Sequence, residues 1–110
     1  LGHSFPTRRL PILATDAQGR KFELIELYEA TDAVDTEAEV FCASYTNFYI
    51  ANNAIIMPAY GIDADKVAAE VLSKTFPGRE VVPVRINHLA HGGGGVHCIT
   101  QQQPAGPLEG

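Results

Sequence analysis

Residues 54–86 read AIIMPAYGIDADKVAAEVLSKTFPGREVVPVRI, a helical pattern held between two apolar runs. In its centre Asp63 stands where an N-cap is wanted. Ile62 and Val67 are spaced around it as a hydrophobic staple. Val67, Val71, Leu72 and Phe76 fall near one face, with Ala64 and Ala68 beside them. Pro77 and Gly78 end the helix, and 79–86 reads as a strand. Upstream, ASYTNFYIA (43–51) is aromatic and β-favouring, Asn52-Asn53 is a two-residue turn, and 54–59 is apolar again. Asn tolerates positive φ, so the pair predicts a hairpin. Pro58 cannot donate to a ladder and belongs near a strand end or an edge. The order strand, turn, strand, helix, strand predicts an α/β chain.

The remainder is less patterned. LPILAT (10–15) is an apolar run and DAQGR (16–20) a turn. KFELIELYE (21–29) predicts a strand. Asp32, Asp35, Glu37 and Glu39 make the stretch at 30–40 a solvated connection. The chain has 110 residues, which suits one small domain.

Its 45% hydrophobic and 19% charged residues exclude a disordered composition. A formal charge of -5 argues against nucleic acid, whose phosphates need a basic face, and favours cationic small molecules. No apolar run approaches a membrane span. The first residues, LGHSFPTRRLP, hold no signal-peptide core. Two cysteines, Cys42 and Cys98, are too few for a disulfide scaffold and predict a reduced, cytoplasmic setting. Cys42, after Phe41, reads as a small buried hydrophobe.

Cys98 stands in a different context, HGGGGVHCITQQQP (91–104). A thiol attacks as thiolate, so its proton must be removed or its pKa lowered. Consecutive glycines let main-chain N–H groups converge on an anion and let a substrate lie against the backbone. Gly93, Gly94 and Gly95 are therefore candidate substrate-binding positions, and Cys98 the candidate nucleophile. The plain alternative is a loose linker before an edge strand with an incidental cysteine. The three glutamines speak against it, being costly core filling. His97 is a poor base for Cys98 in an extended segment, where neighbours point to opposite faces. His88, His91, His97 and Cys98 match no zinc spacing, so no metal is expected. The glycine run also lacks the Lys-Ser/Thr of a P-loop.

The string GGGGVHCITQQQP (92–104) closely resembles the cysteine-bearing active-site segment of agmatine deiminases, members of the guanidine-modifying (pentein) superfamily. ATDAQGRKFELIEL (14–27), ASYTNFYIANNAIIMPAYG (43–61) and KVAAEVLSKTFPGREVVPV (66–84) resemble the segments before that cysteine. The resemblance implies an α/β propeller, of which residues 1–110 are a single C-terminal fragment, about one to two ββαβ modules. It also implies a reaction without cofactor, in which agmatine and water give N-carbamoylputrescine and ammonia. Cys98 matches the family nucleophile and would form a covalent thiouronium.

The family's acid/base histidine, in a His-x-Asp setting, has no match here, nor do the guanidinium-gripping carboxylates. His3, His88, His91 and His97 do not fit, which implies that the chain alone is inactive. Asn53 stands where the family pattern has glycine. A partial ring would expose Phe48, Ile50, Ile55 and Ile56 and self-associate into a homo-oligomer, unless these residues form a core of their own. Two other functions fit the same residues: a catalytically dead interaction module, and a guanidine- or polyamine-binding module without turnover.

Overall fold

The structure is a computed structural model that describes residues 13–34, 38 and 40–106. His3, the start of the 10–15 run, Asp35, Glu37 and Glu39 lie outside the described residues. Asp32 sits exposed in a short 3-10 turn, Thr31–Ala33.

Strand β2 (Ala54–Ala59) is the middle of a three-stranded sheet, between β1 (Tyr49–Ile50) and β3 (Glu80–Arg85). It pairs antiparallel with β1, Ile50 opposite Ile55, and parallel with β3 from Ala54–Glu80 to Ala59–Arg85. Parallel neighbours need a crossover. Helix α1 (Ala64–Thr75) provides it, so the predicted helix and both flanking strands are in place. A second, short helix, α2 (Asn87–Ala90), comes directly after β3.

Two prolines sit where a missing donor costs nothing. The Asn53 and Ala59 carbonyls accept from Glu80 and Ile86, so odd residues of β2 bond towards β3. By alternation Pro58 turns its nitrogen towards β1, whose pairing has already ended at Ile56. On β3 the even residues bond inward, so Pro83 points its nitrogen away from the sheet.

Ile55 and Met57 are fully buried and share one core with Tyr45, Tyr60, Ala68, Leu72, Ile86 and Val96. Each such aliphatic chain stabilises the fold by about 1.5–3 kcal/mol. Phe48 packs edge-on against Phe76, centroids 5.7 Å apart. The expected exposure of Phe48, Ile50, Ile55 and Ile56 therefore holds only for Ile50, 47% exposed. Sheet and helix bury the rest between them.

The helix also differs in detail. Asp63 has helical φ and ψ of -62° and -30° and makes no cap hydrogen bond, because a capping side chain needs non-helical backbone beneath it. Asp65, two positions later, reaches back instead. Its carboxylate accepts from the backbone N–H groups of Tyr60 at 3.1 Å, Gly61 at 2.8 Å and Ile62 at 3.2 Å. Gly61 lies at φ +79°, and a Cβ there would come within 2.5 Å of the Arg85 guanidinium. The buried stripe runs through Ala68 and Leu72, while Val67 is 57% exposed, so the staple stays open. Val67 and Val71 face a shallow groove shared with Leu27 and Tyr28. The C-terminus ends as predicted, with Phe76 N–H on the Leu72 carbonyl and Gly78 at φ +86°.

Two predicted strands are mostly absent. In 21–29 the one ladder contact is an isolated bridge between Lys21 and Thr15, around a turn tied by the Asp16 carboxylate to the Gln18 and Arg20 backbone. An apolar run without a neighbouring edge has nothing to pair with. In 43–51 only Tyr49 and Ile50 join the sheet, and Tyr45-Thr46 forms a turn. The hairpin does close through Asn52-Asn53, with Ala51 N–H on the Ala54 carbonyl at 2.8 Å. It does so without positive φ, which among the described residues only glycines adopt.

Candidate functional site

The glycine run leaves α2 as a closed turn. Gly92 N–H donates to the Leu89 carbonyl at 2.9 Å and Gly93 N–H to the Ala90 carbonyl at 3.0 Å. Gly93 has φ +85°, a conformation costly for any side chain. Val96 is buried and anchors the start of the cysteine segment. Residues His97–Ile99 form a 3-10 turn rather than the edge strand of the plain alternative. Its start is tied across the chain by His97 N–H to the Asn47 carbonyl at 3.2 Å. A strand would have needed an edge, whereas this turn takes its partner from one residue.

That residue is Asn47. Its side-chain N–H₂ donates to Cys98 Sγ at 3.0 Å, while its Oδ1 accepts from the Cys98 backbone N–H at 3.2 Å. With the carbonyl bond to His97, Asn47 grips the cysteine turn at three points. Two glycines make room for this. A Cβ on Gly94 would lie 3.2 Å from Cys98 Sγ, and a Cβ on Gly95 would lie 3.0 Å from the Asn47 Cβ and Cγ. Both distances require something to shift.

Cys98 is exposed, and both cysteines are free. The Gly95 backbone N–H, then the Asn47 amide, hold its thiol below the ordinary range, and the weak opposing effect of burial does not cancel them. Donors to the sulfur favour its anion. The site thus presents an accessible thiol whose ionised form is favoured by the donors around it. Donors around a sulfur can also stabilise charge that develops on an adduct.

Of the predicted residues, Cys98, Gly94 and Gly95 come together, with Gly93 shaping the turn. His97 does not serve the sulfur through its ring, whose Nε2 lies 3.2 Å from the Gln102 amide. Cys42, half-buried, donates its backbone N–H to the Ala90 carbonyl. Among the described residues no group of three or more His, Cys, Asp or Glu is placed to hold a metal. No described helix is long and apolar enough to cross a membrane. Sequence reasoning misses Asn47. It lies 51 positions from Cys98, inside a stretch whose β pattern gives a polar residue no special meaning.

Comparisons with known proteins give the chain a family. The family model of Porphyromonas-type peptidyl-arginine deiminase matches residues 9–104. An agmatine deiminase from Medicago truncatula is 46% identical, the match covering 83% of this chain and 29% of that one. Among solved structures, the agmatine deiminase of Enterococcus faecalis superposes with a TM-score of 0.74 at 27% identity, over 89% of this chain and 31% of that one. A Cys-to-Ser variant of the C. jejuni agmatine deiminase, solved with substrate bound, gives 0.60 at 30% identity over 70% and 23%. The chain spans less than a third of the length of these relatives.

Proposed function

The chain belongs to the Porphyromonas-type peptidyl-arginine deiminase family, and on that premise we propose that Cys98 is the nucleophile of an agmatine deiminase. The observation that carries the reading is the Asn47 amide, which donates to the exposed sulfur at 3.0 Å. The Cys98 thiolate attacks the guanidinium carbon of agmatine. An amino group takes up a proton and leaves as ammonia. The thiouronium left on sulfur is attacked by water, and the C–S bond breaks to release N-carbamoylputrescine and the thiolate. A cationic substrate arriving at the sulfur favours its ionised form further. Gly93, Gly94 and Gly95 form the close wall against which the planar guanidinium lies. The net charge of -5 suits that cation.

In this reading residues 1–110 are a C-terminal piece of a pentein propeller, working in the cytoplasm. The proton-transferring histidine and the carboxylates that grip the guanidinium come from other modules, so this chain alone turns over slowly or not at all. A second reading, an oligomeric interaction module, is favoured by the exposed Phe22, Leu24, Ile25 and Tyr28. Ammonia release from agmatine, compared with Cys98→Ala, tests the enzyme reading, and equal nonzero rates remove Cys98 from the mechanism. Agmatine binding without ammonia release supports a binding module instead. A strict monomer in light scattering counts against self-association.

A further inference from the structure

The segment that carries Asn47 is held by separate ties to side chains and backbone rather than by a sheet. The Cys42 N–H meets the Ala90 carbonyl at 3.0 Å, and the Ala43 carbonyl accepts from Ala30 N–H at 2.8 Å. The Tyr60 hydroxyl donates to the carbonyls of Cys42 at 2.8 Å and Ser44 at 3.3 Å. Burial pushes that phenol up to about 12, so it stays a donor. The tie closest to Asn47 is different in kind. Tyr45, 1% exposed, donates its hydroxyl to Asp65 Oδ1 at 2.7 Å. Its ring stands edge-on to Tyr60, centroids 5.5 Å apart. Asp65 is itself fixed by the Tyr60, Gly61 and Ile62 N–H groups at the start of α1. An ionised acceptor makes the stronger kind of hydrogen bond. Helix, carboxylate and phenol therefore fix the main chain two positions before Asn47, whose amide reaches the sulfur.

We propose that Tyr45 and Asp65 are positioning residues for Cys98, their hydrogen bond setting the place of the Asn47 amide against the sulfur. This rests on Cys98 being the reactive thiol, yet it concerns the thiol itself and not turnover. The ionisable groups around Asp65 are Tyr45 and Tyr60, with Lys66 and Arg85 lining the adjacent cleft. Tyr45→Phe removes the hydroxyl and keeps the ring, so it isolates the link.

The test is the pH profile of Cys98 alkylation by iodoacetamide in the full chain, read by peptide mass so that Cys42 does not interfere. In Tyr45→Phe the midpoint rises by about half a unit, the size one hydrogen bond would give. Asn47→Ala raises it further, and Tyr45→Phe combined with Asn47→Ala goes no higher than Asn47→Ala alone. Tyr28→Phe, at an exposed tyrosine, leaves it unchanged. A midpoint that stays put in a folded Tyr45→Phe, with only thermal stability lowered, overturns the proposal, as does full additivity in the double variant. Should Tyr45→Phe not fold, Asp65→Asn decides, with a smaller rise expected and no rise overturning it. Agmatine is absent throughout, so a chain inert towards agmatine leaves this result standing.

Discussion

Residues 21–29 and 43–51 carry similar apolar, β-favouring patterns, and the structure treats them differently. The first has one isolated bridge and leaves Tyr28 76% exposed. The second buries Tyr45, ends in a sheet strand, and delivers Asn47 to the cysteine. What separates them is not propensity. It is the supply of partners: Tyr60, Asp65, Ala30 and Ala90 answer the polar groups of 42–47, whereas 21–29 packs on the core through Leu27 and lines an open groove beside Val67 and Val71. A segment is ordered by what its neighbours can satisfy.

Replacing the same residue type in both regions gives the sharpest test. Tyr45→Ala removes a buried ring and a bond to a carboxylate, and should destabilise by about 3–5 kcal/mol. Tyr28→Ala should stay within about 0.5 kcal/mol. Denaturant unfolding measures both, and equal costs would erase the distinction. Next in size is Gly95→Ala, whose methyl would press on Asn47. A loss of about 1–3 kcal/mol is expected from overpacking, together with a raised alkylation midpoint for Cys98, readable by the same iodoacetamide profile.

Asn47→Ala comes third. It removes a donor to the sulfur and should move the thiol towards its ordinary pKa by up to about one unit, with little change in overall stability. An unmoved midpoint would assign the lowered thiol to the backbone N–H groups of Gly95 and Cys98. The smallest effect is on the acid limb. Burial raises the Asp65 pKa, but the Tyr45 hydroxyl and the Tyr60, Gly61 and Ile62 N–H groups outweigh it and leave it lowered. A carboxyl depressed in the folded chain contributes stability above its unfolded pKa, lost as pH falls through the folded value. Stability should therefore fall below about pH 4, and Asp65→Asn should flatten that limb in acid titrations monitored by circular dichroism.

Much of this was legible in residues 54–86, where helix spacing, Pro77-Gly78 and the apolar flanks all agree. The glycine run and Cys98 were legible too, because so many glycines before a cysteine have few structural uses. Asn47 was not, since its meaning depends on a cysteine distant in sequence and on a glycine that makes room for it. Asp65 was hidden by Asp63, which occupies the expected capping position but has helical backbone. The missing strand at 21–29 shows the limit of pattern reading: alternation describes a face, and pairing depends on an edge located elsewhere.

Pro83 has one more effect. The outward donors of β3 belong to residues 81, 83 and 85, and the middle of the three is a proline. Any foreign β-segment trying to extend the sheet from that side would find a gap halfway along and lose its register there. Pro83 thereby works against fibre-like stacking along β3.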